Sequence, residues 1–379
     1  MATGTRTTLT DTGNQKRAIS DAIFMIDWTA APLLNIFGID SAKKFNLVNW
    51  PSTKAEIIED TMSPYTSALS SGVNDSTTTI PVTSTTGAYF RQGDIILIDS
   101  EKMLVTSVSS DNLTVATRPY GSTTAASHSS AATVTLVTRA MPEASDYVTG
   151  HTTTTTQPYN YTQILSEAAK VSKTEQAMSK YGVSDTMDYH VGKLFANNGQ
   201  AGKLAQLLQR TFYWGERVQR SASAYGSMGG FKTFVTTNVT NLSGATLQKS
   251  DIHKKIRDIR DAGGEATHIV TGSWGMEKIT SMYEGSVRTT IDEKRGGSAI
   301  TMIRTPHGEV ECVYDWMCPG GEMYFPNKNK IGWFPMRKFT TAEVKEQGDY
   351  YVQDVVGEYS FMLANEKSHG LIYGFDTNS

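Results

Sequence analysis

The chain has 379 residues, of which 19% are charged, and a formal net charge of −3. This balance argues against a protein whose main task is to hold nucleic acid through a basic surface. The two cysteines, Cys312 and Cys318, are too few for a disulfide framework and favour a reducing, intracellular origin. The sequence predicts neither a secretory signal nor a membrane span, and its length favours two or three domains.

The first 48 residues are predicted to form an arm. Within it, Asn14–Trp28 is amphipathic, with Ile19, Ile23 and Ile26 on one side. An apolar helix face with no neighbour in sequence to cover it must dock elsewhere. The sequence leaves open whether this segment docks on its own chain or on another copy.

Residues 49–158 form extended segments around a stretch, about 64–137, that is rich in Ser, Thr and Gly. Short β-branched runs that alternate with polar residues predict half-buried strands. They lie at Thr79–Val82, Asp94–Asp99, Lys102–Val108, Leu113–Thr117 and Ala132–Val137. The pattern predicts a small all-β domain, a barrel or a sandwich, inserted at the tip of a long hairpin.

The stretch Ser184–Ala222 is predicted to form one long helix, which we call the rod. Its apolar residues recur every three or four positions, and Ser184 suits the N-cap position. The run Asn197–Gln200, with Gly202 beyond it, lowers helix propensity, so the sequence allows an unbroken rod as well as a bend or a break there. The period alone also fits an ordinary core helix of an α+β protein.

An α/β passage is predicted after the rod. Helices are expected at Asp251–Ala262, capped by Ser250, and at Trp274–Tyr283, with a buried strand at His268–Gly272 between them. Further strands are predicted at Tyr159–Ile164, Phe231–Val239, Ala299–Arg304, Val310–Tyr314, Glu322–Phe325, Thr341–Glu346, Tyr350–Val356, Tyr359–Leu363 and Gly370–Phe375, and Val171–Tyr181 is helical or irregular.

The sequence offers no residue that we assign to catalysis, cofactor binding or metal binding. His307, Cys312 and Cys318 match no trusted metal-ligand spacing, and ordinary core thiols are expected instead. Glu309 and Glu311 share one face of a strand, as a catalytic carboxylate pair would, but a solvated hairpin face explains them better.

Two further features have ordinary explanations. The glycine-rich run Gly226–Gly230 follows the rod, so a helix stop is expected rather than contact with a ligand. Basic side chains cluster on the helix after Ser250, at Lys254, Lys255, Arg257 and Arg260. Because aspartates share that helix, we expect a solvated face.

Several segments carry a resemblance to a known family. Before and after the rod they are Tyr159–Ile164, Val171–Thr174 and Gly229–Phe231, and within the insertion they are Gly93–Ile96, Glu101–Val105, Leu113–Val115, Arg118–Gly121 and His128. With these segments, the order of the parts resembles the Hong Kong 97-type fold of tailed-bacteriophage major capsid proteins. Within that group the chain resembles the subfamily typified by the SU10 phage.

The resemblance implies an α+β fold with a definite domain map. The implied parts are an N-terminal arm at 1–48, an extended loop at 49–158 with its insertion at about 64–137, a peripheral domain at 159–244 with a spine helix at 184–222, an axial domain at 245–340 and returning peripheral strands at 341–379. No lysine–asparagine crosslink pair can be matched, and the short arm implies a separate scaffolding protein.

The resemblance also implies a structural protein and not an enzyme. It would form hexamers and pentamers of a closed icosahedral or prolate shell around double-stranded DNA. Its partners would be a scaffolding protein, a portal, decoration proteins and the packaged DNA, and its contact with the DNA would be weak. It would not bind a membrane. The expected location is the virion, after assembly in the bacterial cytoplasm.

Two alternatives remain open. An encapsulin-like compartment would share the fold but enclose enzymes. A β-rich tail or adhesion module would account for residues 63–138, but not for the rod and the α/β passage.

Overall fold

The computed structural model describes residues 31–45, 52–141, 143, 155–181, 183–194, 202–283 and 302–377. The amphipathic segment Asn14–Trp28 and the weak point Asn197–Gln200 of the rod lie outside these residues. The chain divides into two compact units. Unit 1 comprises Met1–Ile57 and Gln157–Ser379, and unit 2 comprises Ile58–Thr156.

The helices in the described residues are α1 Pro32–Phe37, α2 Lys173–Ala177, α3 Thr186–Leu194, α4 Lys203–Trp214, α5 Phe231–Phe234, α6 Lys249–Asp261 and α7 Ser273–Tyr283. The strands are β1 Lys54–Glu56, β2 Thr66–Ala68, β3 Thr79–Pro81, β4 Asp94–Ile98, β5 Glu101–Ser109, β6 Asn112–Val115, β7 Thr133–Arg139, β8 Tyr159–Tyr161, β9 Gln163–Ser172, β10 Val239–Asn241, β11 His268–Thr271, β12 Met302–Thr305, β13 Gly308–Tyr314, β14 Glu322–Phe325, β15 Ile331–Thr341, β16 Lys345–Gln347, β17 Tyr350–Leu363 and β18 Gly370–Tyr373.

Unit 1 contains a mixed six-stranded sheet in the order β10-β18-β14-β11-β13-β12. Alternate residues of its strands face two separate apolar clusters, as the two-residue strand period requires. Ile269 and Met323 belong to a cluster with the inner faces of α6 and α7, whereas Val270 and Tyr324 belong to a larger cluster on the other face. The sheet therefore separates two cores.

The second sheet of unit 1 is antiparallel. β15 and β16 pair with one edge of β17, and β9 pairs with its other edge from Gln163 to Ser172. Trp333 of β15 and Phe361 of β17 are fully buried in the larger cluster, where they meet Phe212 of α4. Helix α1 joins the same cluster through Leu33 and Phe37. This aromatic core therefore joins the second sheet to α1 and α4.

Unit 2 is a six-stranded antiparallel sheet in the order β2-β7-β4-β5-β6-β3. Each of the five strands predicted here is present within a few residues of its predicted bounds. The additional strand, β2, has only three residues and little β-branched character, so its pattern gave no signal. Ile80, Ile96, Met103 and Leu113 are fully buried in the core of unit 2.

The rod is shorter than predicted at its C-terminal end. Helix α4 ends at Trp214, where the amide of Gly215 donates to the carbonyl of Thr211, and residues 215–222 are not helical. At position 215 the backbone becomes extended and approaches Thr211 and Met228 so closely that a side chain would collide with their carbonyl oxygens, which explains the glycine. The predicted extension to Ala222 is therefore wrong, and α3 and α4 are the described parts of the rod.

Three other predictions are corrected. The strand expected at Phe231–Val239 is wrong: its first residues form α5, and only Val239 enters a strand, β10. The N-cap of α6 is Gln248 rather than Ser250, in a capping box with Asp251. The strand predicted at Thr341–Glu346 is present only in part: Thr341 is the last residue of β15, which begins at Ile331, residues 342–344 are not in a strand, and β16 begins at Lys345.

Candidate assembly surfaces and the contacts that position them

The segments on either side of the rod meet through one buried amide. Asn160 is fully buried; its side chain donates to the carbonyls of Gly229 (2.9 Å) and Phe361 (2.5 Å) and accepts from the amide of Gly229 (2.8 Å). These bonds join β8 to β17 and to the glycine run after α4. Because each partner satisfies a buried polar group, the amide fixes the relative positions of three separate chain segments.

The glycine run is needed for this close approach. A side chain at Gly230 would lie 2.7 Å from the carbonyl oxygen of Phe212 and closer still to that of Thr211. Gly230 therefore packs directly on the end of α4. The prediction that the run itself stops the helix is wrong, because α4 already ends at Trp214 and the run returns to pack against that end.

A carboxylate in the middle of β17 gathers two exposed cationic side chains. Glu358 is buried and accepts from the Thr162 hydroxyl (2.7 Å), from Arg220 (3.1 Å) and from Arg337 (3.0 Å). Burial would raise the pKa of Glu358, but these hydrogen bonds outweigh burial and lower the pKa below its usual value. The cluster ties the loop after α4 to the second sheet, and its arginines remain partly exposed.

A second buried carboxyl holds α4 against the six-stranded sheet. Asp315, at the end of β13, accepts from Gln209 (2.6 Å) and from the Tyr213 hydroxyl (2.5 Å), and the oxygen of Gln209 accepts the amide of Leu33 (3.2 Å). Burial raises the pKa of Asp315 and outweighs the opposing hydrogen bonds. Helices α1 and α4 are thereby held on one polar cluster within an apolar core.

Unit 2 contains a buried ionic cluster made of residues quoted for the resemblance. Arg118 makes a bidentate ion pair with Glu101, at 2.9 and 2.7 Å, and His128 lies 3.0 Å from the same carboxylate and 2.7 Å from Asp99. Burial would raise the pKa of Glu101, but hydrogen bonds from Arg118, the Ala126 amide and His128 lower it to about 2. The cluster anchors the long connection between β6 and β7.

Large apolar side chains are exposed at one end of unit 2. Ile58, Met62 and Tyr65 precede β2, and Val137 and Met141 lie in and after β7. Because β2 and β7 are antiparallel, both groups belong to the same end of the sheet. Clustered exposed apolar side chains are typical of protein–protein contact surfaces.

In the described part of unit 1, large apolar side chains are exposed in groups of two or more at three places, and singly at Ile164, Met302 and Val344. Met178 and Tyr181 lie between α2 and α3, and Val218 and Tyr225 lie on the loop after α4. Tyr225 is 98% exposed, which is unusual for a tyrosine. The third place holds Trp214, Tyr314 and Trp316, which adjoin the Asp315 cluster in sequence. These side chains are candidate contact residues, and the sequence pattern gave no sign of them because exposure depends on the fold.

The two cysteines considered as candidates for chemistry lie apart. Cys312 packs in the core beneath α6 and α7, whereas Cys318 packs in the larger core on the other side of the sheet. Burial raises the pKa of both thiols, that of Cys312 to about 12, so neither is a thiolate at neutral pH. Across the described ranges, no group of three or more His, Cys, Asp or Glu could hold a metal ion.

The remaining candidates have structural partners. Glu309 pairs with Arg304 at 2.9 Å and Glu311 lies 3.3 Å from His268, with both carboxylates exposed. On α6, Lys254, Arg257 and Arg260 are exposed as predicted.

The solvated-face prediction is wrong for Lys255. Its side chain is buried and donates to the carbonyl of Asn238 (3.1 Å), and burial lowers its pKa.

Of the helices in the described part of the chain, none is long and apolar enough to cross a bilayer.

The comparisons with known proteins decide the family. The family model of the SU10 major capsid protein matches residues 2–376. The chain belongs to the SU10 major capsid protein family. No curated protein sequence gives a significant match.

One solved structure, the capsid of cyanophage A-1(L), supports the fold of this family, and two others are similar at lower TM-scores. The capsid of cyanophage A-1(L) is similar over 98% of this chain and 99% of that one, with 12% identity and a TM-score of 0.56. The capsid of Myoviridae phage XM1 matches 94% and 96% of the two chains at 10% identity and a TM-score of 0.48. The encapsulin complex from Synechococcus elongatus matches 62% and 79% at 7% identity and a TM-score of 0.35.

The fold is therefore the α+β fold of Hong Kong 97-type capsid proteins, and the chain is the major capsid protein of a tailed phage. Such a protein is a structural component of the virion and assembles into a shell of many copies. The family match spans both units, which favours this identity over the encapsulin and tail-module alternatives.

Proposed function

We propose that the chain forms hexamers and pentamers that close into an icosahedral or prolate shell around double-stranded DNA. The observation that supports this most is the family match over residues 2–376, which includes unit 1 and unit 2 alike. Closed shells need repeated contacts between copies. The exposed apolar groups around Tyr65, Tyr225 and Trp214 are candidates for those contacts.

The proposed domain map follows the family. We assign residues 1–48 to the arm, 49–158 to the extended loop, 159–244 to the peripheral domain, 245–340 to the axial domain and 341–379 to the returning strands. Two strands cross these bounds, since β15 pairs with β17 of the returning strands and β18 joins β14 in the six-stranded sheet. The extent of unit 2, Ile58–Thr156, supports an insertion carried by the extended loop. In α1, Leu33 and Phe37 are buried in the larger cluster, so this part of the arm region belongs to the core of unit 1.

The proposed partners are a separate scaffolding protein, a portal, decoration proteins and packaged DNA, with assembly in the bacterial cytoplasm. Membership of a structural capsid family supports this list. The same membership supports a protein without catalytic activity or a cofactor.

Negative-stain imaging tests the proposal. The purified full-length chain is imaged after expression alone and after co-expression with a candidate scaffolding protein from the same genome. We expect closed particles, or rosettes of six and five copies, in at least the second preparation. Discrete trimers in both preparations would overturn the shell proposal in favour of a tail component.

Deletion of residues 64–137 tests the role of the insertion. If unit 2 clamps or decorates the shell, the deletion leaves unit 1 folded but lowers the resistance of particles to heat and chaotrope. Particles of the deletion variant that are as resistant as full-length particles would show that unit 2 has no clamping role.

A further inference from the structure

The outer edge of β9 is a long strand edge that has no partner in the described residues. β9 pairs with β17 from Gln163 to Ser172 in one continuous register. Between Ile164 and Val171, no backbone hydrogen bond from the described residues reaches the edge that faces away from β17. Every second residue therefore directs its amide and carbonyl groups away from the sheet.

The other strand edges described in unit 1 are protected against an added strand. β10 and β12, at the edges of the six-stranded sheet, have only three and four residues. β15 contains Pro335 and pairs with β17 through two register shifts. Short strands, prolines and bulges are the usual means by which proteins prevent strand addition. β9 has none of these, so it can accept a further strand.

A cavity of about 340 Å³ lies along this edge. Three consecutive residues of β9 line it, Ala168, Ala169 and Lys170. Because consecutive side chains of a strand point to opposite faces, a cavity lined by all three lies at the edge rather than over one face. Leu194 at the end of α3 and Lys203 at the beginning of α4 form the facing wall. The edge is therefore open to a chain segment that would lie between β9 and the helices.

Cationic side chains flank the edge on both faces of the sheet. Lys203 pairs with Glu167 at 2.5 Å on the face covered by α3, where Lys193 is exposed as well. Lys170 lies on the opposite face, over the ring of Tyr350 at 3.4 Å. Among the described residues that line the cavity, none is acidic. Since the side chains of an added strand alternate between the two faces, acidic ones would meet a cation on either face.

We propose that the outer edge of β9 binds an extended, acidic segment of a partner protein as an additional strand. Backbone hydrogen bonds to β9 supply the affinity, and the lysines select acidic side chains. The chain's own acidic extended segment is engaged elsewhere, because both backbone groups of Glu59 are bonded to Thr156. A separate protein is therefore favoured over a second copy. This inference goes beyond the proposed function and does not depend on shell formation.

Fluorescence anisotropy with a labelled peptide tests this binding. The purified full-length chain is titrated into a peptide of about eight residues that contains glutamate and valine in equal numbers. A second peptide has the same sequence but carries a methyl group on each backbone nitrogen. It keeps the charge and loses the donors that strand pairing requires.

Two variants of the full-length chain test the role of charge. The cavity variant combines Lys170→Gln, Lys193→Gln and Lys203→Gln. The matched control removes the same charge from exposed positions elsewhere, at Lys102→Gln, Lys254→Gln and Lys367→Gln. Thermal unfolding of each variant checks that the fold is intact.

We expect the cavity variant to bind the acidic peptide at least about fivefold more weakly at about 50 mM salt, and the control variant to change by less than about twofold. The methylated peptide should bind the unsubstituted chain at least about tenfold more weakly than the unmodified peptide. Hydrogen exchange locates the contact: a saturating amount of the acidic peptide should slow exchange in residues 163–172 and leave residues 331–341 unchanged.

Three results would overturn the inference. Equal affinity for the methylated and unmodified peptides would show attraction by charge without strand addition. Unchanged exchange in residues 163–172 would place the peptide elsewhere on the chain. A peptide with the sequence of residues 56–63 that binds more tightly than the acidic peptide would assign the edge to a second copy of this chain.

Particle imaging separates this inference from the proposed function. If the chain forms closed particles with the scaffold but does not bind the acidic peptide, the inference fails and the proposed function stands. If the chain binds the peptide at β9 but forms no shell or rosette even with the scaffold, the proposed function fails and the inference stands.

Discussion

The two units solve the problem of stability with different chemistry. In unit 1 the main core is aromatic: Phe212 of α4 meets the rings of Phe37, Phe231, Trp333 and Phe361. These residues come from elements spread across the sequence. Large side chains let a few positions bring distant segments together, because each ring buries about 150–250 Å².

Unit 2 has a smaller and mostly aliphatic core. Among the buried residues of this cluster, Phe90 is the one with an aromatic side chain. A small unit buries a smaller fraction of its surface than a large one. The long connection between β6 and β7 is held instead by the ion pair of Arg118 with Glu101 and by His128. Unit 1 also has buried polar clusters, around Asn160, Glu358 and Asp315, but they lie beside a large aromatic core. Unit 2 instead combines a small aliphatic core with an ion pair whose two side chains are both buried.

The sequence supplies a convenient probe of this difference. Of the six tryptophans, the four in the described residues belong to unit 1, at Trp214, Trp274, Trp316 and Trp333, and residues 58–156 contain none. Tryptophan fluorescence therefore reports the unfolding of unit 1, while hydrogen exchange of peptides from residues 58–141 reports unit 2.

The largest expected effect is that of Phe212→Ala in unit 1. Removal of this fully buried ring leaves a cavity among the aromatic side chains around it and should lower the free energy of unfolding by about 3–5 kcal/mol. Tryptophan fluorescence in a denaturant series measures the change. Hydrogen exchange in residues 58–141 should be unaffected, and loss of protection there would show that the two units unfold together.

Arg118→Met should produce the converse pattern. The substitution leaves the buried carboxylate of Glu101 without its cation, which typically costs about 3–5 kcal/mol. We expect faster hydrogen exchange in residues 58–141 with an unchanged tryptophan transition. If protection in unit 2 stays at its original level, the ionic cluster does not stabilise this unit.

Acid should weaken unit 2 within a defined range of pH. The pKa of Glu101 is lowered from 4.5 to about 2, so its contribution is fully present above pH 4.5 and is lost as the pH falls towards 2. The loss should be roughly 2–3 kcal/mol. Pulse proteolysis with pepsin in urea, followed by identification of the cleavage sites, measures it, and Glu101→Gln should abolish most of this pH dependence.

Asp315 provides the contrast in unit 1. Its pKa is raised by burial, so its own contribution to the stability of unit 1 increases as the pH falls through the raised value. The free energy of unfolding of unit 1, measured from the tryptophan transition over a range of pH, should therefore gain more on acidification in the unsubstituted chain than in Asp315→Asn.

The smallest effect is expected for Arg304→Met. Its ion pair with Glu309 has a length of 2.9 Å, similar to that of Arg118 with Glu101, but the arginine side chain is 84% exposed. Exposed pairs contribute about 0–1 kcal/mol. Tryptophan fluorescence should detect a change no larger than that, and a loss near the ~3 kcal/mol of a broken buried pair would show that burial is not what separates the two pairs.

Local patterns in the sequence determined much of the secondary structure. The alternating pattern of unit 2 located five strands, and the helical period located α6, α7 and both described parts of the rod. These signals are local, because one buried face imposes its period on consecutive residues. Together with the segments quoted for the resemblance, the order of the parts then implied the capsid fold.

Only the tertiary structure decided the rest. The rod ends at Trp214, where Gly215 and Gly230 pack against its end, and Lys255 is buried because the carbonyl of Asn238 lies beside it. Each of these features depends on contacts between residues far apart in the chain, and no periodicity within one segment encodes such contacts.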